Sequence, residues 1–148
     1  MKNLDAQMLE AALNSDLTTV EELVSQGANI NYKDAWGNSA VFSAAWEGNT
    51  KALDKFYDLG AKISFDTANL LCNAAYNGKI DSVKWLLDKG EDANFSFTDT
   101  GENALHYTIS KTSEMADRAE IVKVLIAAGT DVNKKTTAGI PTLCFMRD

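Results

Sequence analysis

The chain has 148 residues, of which 45% are hydrophobic and 24% are charged, and these fractions are typical of one soluble globular domain rather than a disordered tail. Its formal net charge of −7 gives an acidic surface that repels phosphate groups, so we expect no nucleic acid and no membrane as a partner. No apolar run reaches the roughly 18 residues of a membrane-spanning helix, and the start lacks the apolar segment of a secretory signal. We therefore expect a cytoplasmic protein, or one secreted without a cleavable signal peptide.

The first predicted element is a pair of helices within residues 4–33. The first helix carries the small residues Ala11–Ala12, and Ser15–Asp16 form the turn that follows it. An apolar stripe with the spacing i, i+3, i+4 marks one face of the second helix and consists of Val20, Leu23 and Val24. Gly27 comes after this stripe, at a position past the helix end where glycine adopts positive φ at little cost.

The same pattern recurs in three further predicted repeats, residues 34–65, 66–97 and 98–135, and starts again in a partial fifth, residues 136–148. The first helices carry the small residues Ala44–Ala45, Ala74–Ala75 and Thr108–Ile109. The stripes of the second helices are Leu53/Phe56/Tyr57, Val83/Leu86/Leu87 and Val122/Leu125/Ile126. Tight turns are predicted at Gly48–Asn49 and Gly78–Lys79. Four segments end alike: Gly27–Asn31, Gly60–Ser64, Gly90–Asn94 and Gly129–Asn133.

Two repeats depart from the pattern. The third has Phe65–Asn69 in place of a glycine-containing hairpin tip. The fourth has an inserted segment, Ser110–Ala116, between its helices. Asp117 and Glu120 follow this segment with the spacing of a capping box, which predicts that the second helix starts there.

A nine-residue motif precedes and enters the first helices. It reads Gly37-Asn38-Ser39-Ala40-Val41-Phe42-Ser43-Ala44-Ala45, recurs from Gly101 to Ile109, and begins again from Gly139 to Cys144. This motif resembles the ankyrin signature, which has a glycine, then Thr-Pro-Leu-His, then paired alanines, and the resemblance extends over residues 4–148. It implies one all-α domain, residues 1–148: an ankyrin-repeat solenoid of stacked helix–turn–helix units with short β-hairpin-like loops. It also implies a non-catalytic module that binds a protein partner of unknown identity.

The last predicted repeat stops inside its first helix and leaves Leu143, Phe145 and Met146 apolar. Because a terminal repeat needs a polar outer face, we expect a fragment of a longer array, with a short terminal cap as the alternative. Self-association through this incomplete C-terminal repeat is also expected. A second functional hypothesis is therefore a regulatory ankyrin segment of a longer enzyme or channel, truncated at residue 148.

Few residues could take part in catalysis or bind a metal. The resemblance implies that His106 is structural and bonds to backbone near the hairpin; a catalytic role with Ser110 would lack an oxyanion-hole turn. Cys72 and Cys144 are expected to be reduced and buried. Without a cluster of metal ligands or a phosphate-binding loop, we expect no cofactor, no metal and no enzyme activity.

The resemblance implies that a partner meets the concave face, which is formed by hairpin tips and the exposed sides of the first helices. The residues at these positions are Leu13, Asn14, Ala35, Trp36, Asn38, Trp46, Glu47, Tyr76, Asn77, Ser110 and Lys111. We expect Trp46 and Tyr76 to form one patch with Trp36 above it and Glu47 at its edge. The alternative is that these rings fold onto the scaffold. Aromatic residues outside the patch, Tyr32, Phe65, Phe95 and Trp85, are expected to pack structurally.

Overall fold

Regular structure in the described residues, 3–63, 69–110 and 115–139 of a computed structural model, consists of eight helices. The chain divides into two compact units, residues 1–65 and 66–148. The first unit contains α1 (Leu4–Leu13), α2 (Leu17–Ser25), α3 (Ala40–Glu47) and α4 (Thr50–Asp58). The second contains α5 (Leu70–Tyr76), α6 (Ile80–Asp88), α7 (Ala104–Ser110) and α8 (Met115–Ala127). The all-α expectation is confirmed, and each consecutive pair of helices lies inside one predicted repeat.

A tight turn of one geometry joins the two helices in each of the first three repeats. A residue just past the first helix has positive φ: Ser15 at 58°, Gly48 at 76° and Gly78 at 71°. The next residue donates its N–H to the carbonyl of a small residue of that helix: Asp16 to Ala11, Asn49 to Ala44 and Lys79 to Ala74, each at 2.9 Å. The predicted turns are confirmed, and a serine in the first repeat adopts the conformation that glycine supplies in the next two.

A glycine turn also ends each second helix and closes on a residue of the apolar stripe. The glycines have φ values of 105°, 94°, 91° and 94°, in the order Gly27, Gly60, Gly90 and Gly129. The residue after each glycine donates its N–H to a stripe carbonyl: Ala28 to Leu23, Ala61 to Phe56, Glu91 to Leu86 and Thr130 to Leu125. The role predicted for these glycines is confirmed.

The apolar stripes form the core, but the burial of their positions differs between the second helices. In the first unit α1 packs on α2 and α3, and α3 on α4; in the second, α5 packs on α6 and α7, and α8 on α6 and α7. The first stripe residues of three repeats are fully buried: Val20, Leu53 and Val83. The third stripe position lies at the margin, because Tyr57 and Ile126 are 40% and 45% exposed. In α8 the predicted Leu125 is fully buried, Val122 is half-buried, and the preceding residue, Ile121, is fully buried.

The capping box predicted for the fourth repeat is wrong. Helix α8 begins at Met115, so Asp117 lies inside its first turn rather than at the N-cap. An acidic side chain in the first turn is still favourable, because it interacts with the positive end of the helix dipole.

Asparagine side chains join consecutive repeats within each unit. Asn31 Nδ2 donates to the carbonyl oxygen of Gly60 at 3.2 Å, and its Oδ1 accepts from the N–H of Lys62 at 2.8 Å. The second unit repeats this pair: Asn94 donates to Gly129 O at 2.8 Å and accepts from Asp131 N. Because an amide is both donor and acceptor, one side chain satisfies two backbone groups of the following repeat. This arrangement gives a structural reason for the asparagine at the end of these segments.

Candidate functional site

The hairpin tip of the second repeat is organised around one carboxylate. Asp34 accepts hydrogen bonds from the N–H of Trp36 at 2.9 Å, and from the N–H and Nδ2 of Asn38, both at 2.8 Å. Desolvation raises the pKa of Asp34, but the bonds from Asn38, Trp36 and Gly37 outweigh it and hold this pKa below its ordinary value. The carboxylate therefore stays charged at neutral pH and fixes the conformation of the tip.

This tip presents Trp36 to solvent. The Trp36 side chain is 85% exposed, whereas Asn38 is half-buried with its amide bonded to Asp34. Among the residues predicted to contact a partner from this tip, Trp36 is thus accessible, whereas the amide of Asn38 is bonded within the tip.

Helix α3 carries the next two predicted contact residues near its C-terminal end. The Trp46 ring is 41% exposed and stacks on Phe42, one turn earlier, with the ring centroids 5.8 Å apart and the planes at 27°. Glu47 is the last residue of the helix and is exposed. One part of the Trp46 surface therefore packs on Phe42, and another part remains exposed to solvent.

In the second unit Tyr76 belongs to a row of four rings. Tyr76, at the end of α5, is 38% exposed and meets Tyr107 of α7 edge-on, with centroids 6.1 Å apart. Tyr107 contacts Phe97 at 5.6 Å, and Phe97 contacts Phe95 at 5.2 Å. We call Tyr76, Tyr107, Phe97 and Phe95 the aromatic row. Tyr107 and Phe97 were not predicted, although the alternation Phe95-Ser96-Phe97 is typical of a short extended segment.

Two carboxylates lie beside the aromatic row, on the hairpin tip of the fourth repeat. The tip closes when Phe97 N–H donates to the carbonyl of Glu102 at 2.9 Å, and Ser96 and Asn103 form an antiparallel bridge. Burial is the main cause that raises the pKa of Tyr107, followed by the charge of Glu102, the Cys72 thiol and the charge of Asp99. The charges of Glu102 and Asp99 thus disfavour the ionised form of the Tyr107 hydroxyl.

The histidine and the cysteine of this unit, His106 and Cys72, are both buried. His106 is 1% exposed, and its Nδ1 accepts the N–H of Asn103 at 3.0 Å, which confirms the predicted bond to hairpin backbone. Cys72 is a free, buried thiol as predicted, and burial, with smaller contributions from Glu102 and Glu91, raises its pKa to about 12. A thiol held in this protonated form is a poor nucleophile.

The described residues were also compared with what a metal site, a membrane-spanning helix and a surface cleft require. Within residues 3–63, 69–110 and 115–139 there is no group of three or more His, Cys, Asp or Glu that could hold a metal ion. Over the same ranges, no helix has the length and apolar character that crossing a membrane requires. An open cleft of about 580 Å³ lies on α1 and α2. Its lining is both polar and apolar: Gln7, Glu10, Ala11, Asn14, Asp16, Thr19 and Leu23.

The other predicted residues differ in burial and in position. Asn77 is half-buried at the C-terminal end of α5, and Trp85 is buried with Lys89 Nζ 5.4 Å from its ring centroid. Trp46 belongs to the first unit and Tyr76 to the second, so their common patch stays a prediction. Phe65, Lys111 and Cys144 lie outside the described part of the chain, and so does the side chain of Ser110.

Comparisons with known families agree with this architecture. The family model described as ankyrin repeats (3 copies) matches residues 44–136, and the one described as ankyrin repeats (many copies) matches residues 8–56.

Similar proteins cover most of this chain but are much longer than it. An ankyrin repeat domain-containing protein, SAT10, of Stachybotrys chartarum is 30% identical over 85% of this chain and 6% of its own length. The mitochondrial disaggregase of Bos taurus is 26% identical over 97% of this chain and 21% of its own. The transient receptor potential cation channel subfamily A member 1 of Drosophila melanogaster is 30% identical over 84% and 11%. With the three-copy model matching more than half of the residues and the helix pairs repeating in register, this chain belongs to the ankyrin-repeat family.

Proposed function

We propose that this chain is a non-catalytic module that binds another protein through its hairpin tips and the exposed sides of its first helices. Ankyrin repeats are in general protein–protein interaction modules and are typically non-catalytic. The residues proposed to contact the partner are Trp36, Trp46 and Glu47 in the first unit and Tyr76 and Asn77 in the second, with Asn38 holding the tip. Lys111 is also proposed to contact the partner, because of its position in the repeat pattern.

The observation that carries this proposal is where the large apolar side chains are exposed. Six such side chains are exposed in the described part of the chain, and four of them occupy a tip or a first helix: Leu13, Trp36, Trp46 and Tyr76. The other two, Tyr57 and Ile126, lie on second helices. Tryptophan and tyrosine are common in binding hot spots, because they bury a large area with few rotatable bonds. Their exposure on the tip and first helices favours a binding surface there.

Truncation of the exposed rings tests the proposal. A partner captured from the source cells is identified, and its affinity for wild type, Trp46→Ala and Tyr76→Ala is measured by calorimetry. Loss of a hot-spot ring typically costs about 2 kcal/mol, or roughly thirtyfold in affinity. Because both rings are partly exposed, each variant should keep its Tm within a few degrees of wild type.

Leu86→Ala is the control, because Leu86 is fully buried in α6 and its truncation should destabilise the fold by about 2–5 kcal/mol. Aromatic variants that melt as early as this control would show that the rings belong to the scaffold. Variants that melt and bind like wild type would place the partner on another face, and residues 111–116 would be tested next.

A second candidate is a regulatory ankyrin segment of a longer enzyme or channel. The observation in its favour is that the chain spans only 6% to 21% of the relatives described above, one of which is a cation channel. Sequencing the gene past the codon for Asp148 tests it: an in-frame catalytic or channel domain supports this candidate, and an immediate stop codon removes it.

A further inference from the structure

We propose that the aromatic row binds an arginine side chain of the partner protein, held between the rings and the carboxylates of Asp99 and Glu102. This inference rests on the proposed function, and it assigns a chemistry to the part of the surface that lies in the second unit. Apart from Tyr76 and Phe95, it concerns residues that the ankyrin register did not single out.

Geometry supplies the first argument. Tyr76, Tyr107 and Phe97 follow one another at centroid distances of 6.1 and 5.6 Å, and the three rings meet edge-on or tilted. Tyr76 is 38% exposed, and Tyr107 and Phe97 are half-buried, so the row offers ring surface to solvent while its other side is packed. Ring faces are negative and attract a cation placed within about 6 Å of a centroid.

Charge supplies the second argument. Glu102 lies across the hairpin from Phe97, and Asp99 is exposed in the turn between them. Among the residues that the structure describes, neither carboxylate forms an ion pair with a lysine or arginine. Both charges nevertheless reach Tyr107, since each raises the pKa of its hydroxyl. The surface therefore combines ring faces with two carboxylates that pair with no lysine or arginine in the described part of the chain, and it is complementary to a cationic side chain.

Arginine fits this surface better than lysine does. Its guanidinium group is planar, so it stacks on a ring while its edge donates hydrogen bonds to a carboxylate. A lysine ammonium is a compact, strongly hydrated charge that cannot make both contacts with one plane. The ligand of the aromatic row is thus an arginine in a segment of a protein partner.

Pooled peptides test this assignment with the full 148-residue chain. Four pools of fluorescent 12-residue peptides share one random composition and differ only in a fixed central residue: arginine, lysine, glutamine or glutamate. Fluorescence polarisation should give the tightest binding for the arginine pool, about fivefold tighter than for the glutamine pool. The preference should shrink as NaCl rises from about 50 to 300 mM, because salt screens exposed charges.

Variants then locate the preference. Glu102→Gln keeps the backbone bonds of the tip and should remove most of the preference for arginine. Tyr107→Leu should also remove it, whereas Tyr107→Phe keeps the ring and should retain it, which separates loss of the ring from loss of folding. Asp88→Asn is the matched charge control, since Asp88 is exposed on α6, which contributes no ring to the row. It should leave the preference unchanged.

Equal binding of the arginine and glutamine pools, no binding of any pool, or an arginine preference that survives Glu102→Gln would each overturn the assignment. Such a result would leave the proposed function intact if the captured partner still depends on Trp46. Loss of that dependence, with the arginine preference present and sensitive to Glu102, would overturn the proposed use of Trp46 instead.

Discussion

Removing the amide of Asn94 tests whether the asparagine bridges stabilise the stacking of repeats. Asn94→Ala deletes one hydrogen bond to Gly129 O and one from Asp131 N. A neutral hydrogen bond contributes about 0.5–1.5 kcal/mol net, so the pair is worth about 1–3 kcal/mol. Because Asn94 is exposed, water replaces part of what is lost, and we expect a decrease of about 1–2 kcal/mol in the free energy of unfolding. For a chain of this size, that decrease lowers Tm by about 2–8 °C.

Tryptophan fluorescence can report this effect for the second unit alone. With Trp36 and Trp46 replaced by phenylalanine, the remaining Trp85 lies in α6, and urea unfolding followed at this residue gives the unit's stability. Thr98→Ala is the control, because Thr98 is an exposed residue of the same unit and makes no bond between repeats in the described part of the chain. If Asn94→Ala changed the free energy of unfolding no more than Thr98→Ala, within about 0.3 kcal/mol, the reasoning would be refuted.

Three further outcomes are expected. Gly37→Ala should lower the free energy of unfolding by about 1 kcal/mol, because alanine is strained at its φ of 83°. Gly101→Ala should lower it more, because the added Cβ would also lie 3.1 Å from the carbonyl oxygen of Lys135. Chemical denaturation compares the two variants, and equal losses of stability would contradict the clash. The Cys72 thiol keeps its proton in the folded state, so the free energy of unfolding should fall as pH rises above about 9, by up to about 1.4 kcal/mol per pH unit, and Cys72→Ala should flatten this slope in alkaline urea titrations. Sedimentation velocity should show concentration-dependent association through residues 136–148; a strictly monomeric chain would count against it.

The fold could be predicted because each repeat has the same residue types at the same positions. The glycine after each second helix and the small residues of each first helix recur in register, so an ambiguous copy is read from its neighbours. The start of α8 could not be predicted in this way, because its preceding segment has no counterpart in the other repeats. Acidic residues are favoured throughout a first helical turn, so Asp117 with Glu120 did not identify the N-cap.

The candidate site was predicted only where register alone decides exposure. Trp36, Trp46 and Tyr76 are 85%, 41% and 38% exposed, as their places on a tip and on the outer side of first helices predict. The aromatic row could not be predicted, because its contacts join Tyr76, Phe97 and Tyr107 across different elements and depend on side-chain rotamers. The role of Asn38 depends on Asp34, four residues earlier, and its spacing alone does not distinguish a bond to that carboxylate from a solvated amide.

The asparagine bridges have a consequence for how such a protein evolves. Asn31 and Asn94 bond to backbone atoms of the following repeat, so the link requires no particular side chain from its neighbour. A repeat that is duplicated or exchanged between genes therefore brings a connector that suits any successor with the same turn. Mutation can then diversify the exposed residues of the tips and first helices for new partners, because the asparagine bonds do not involve their side chains.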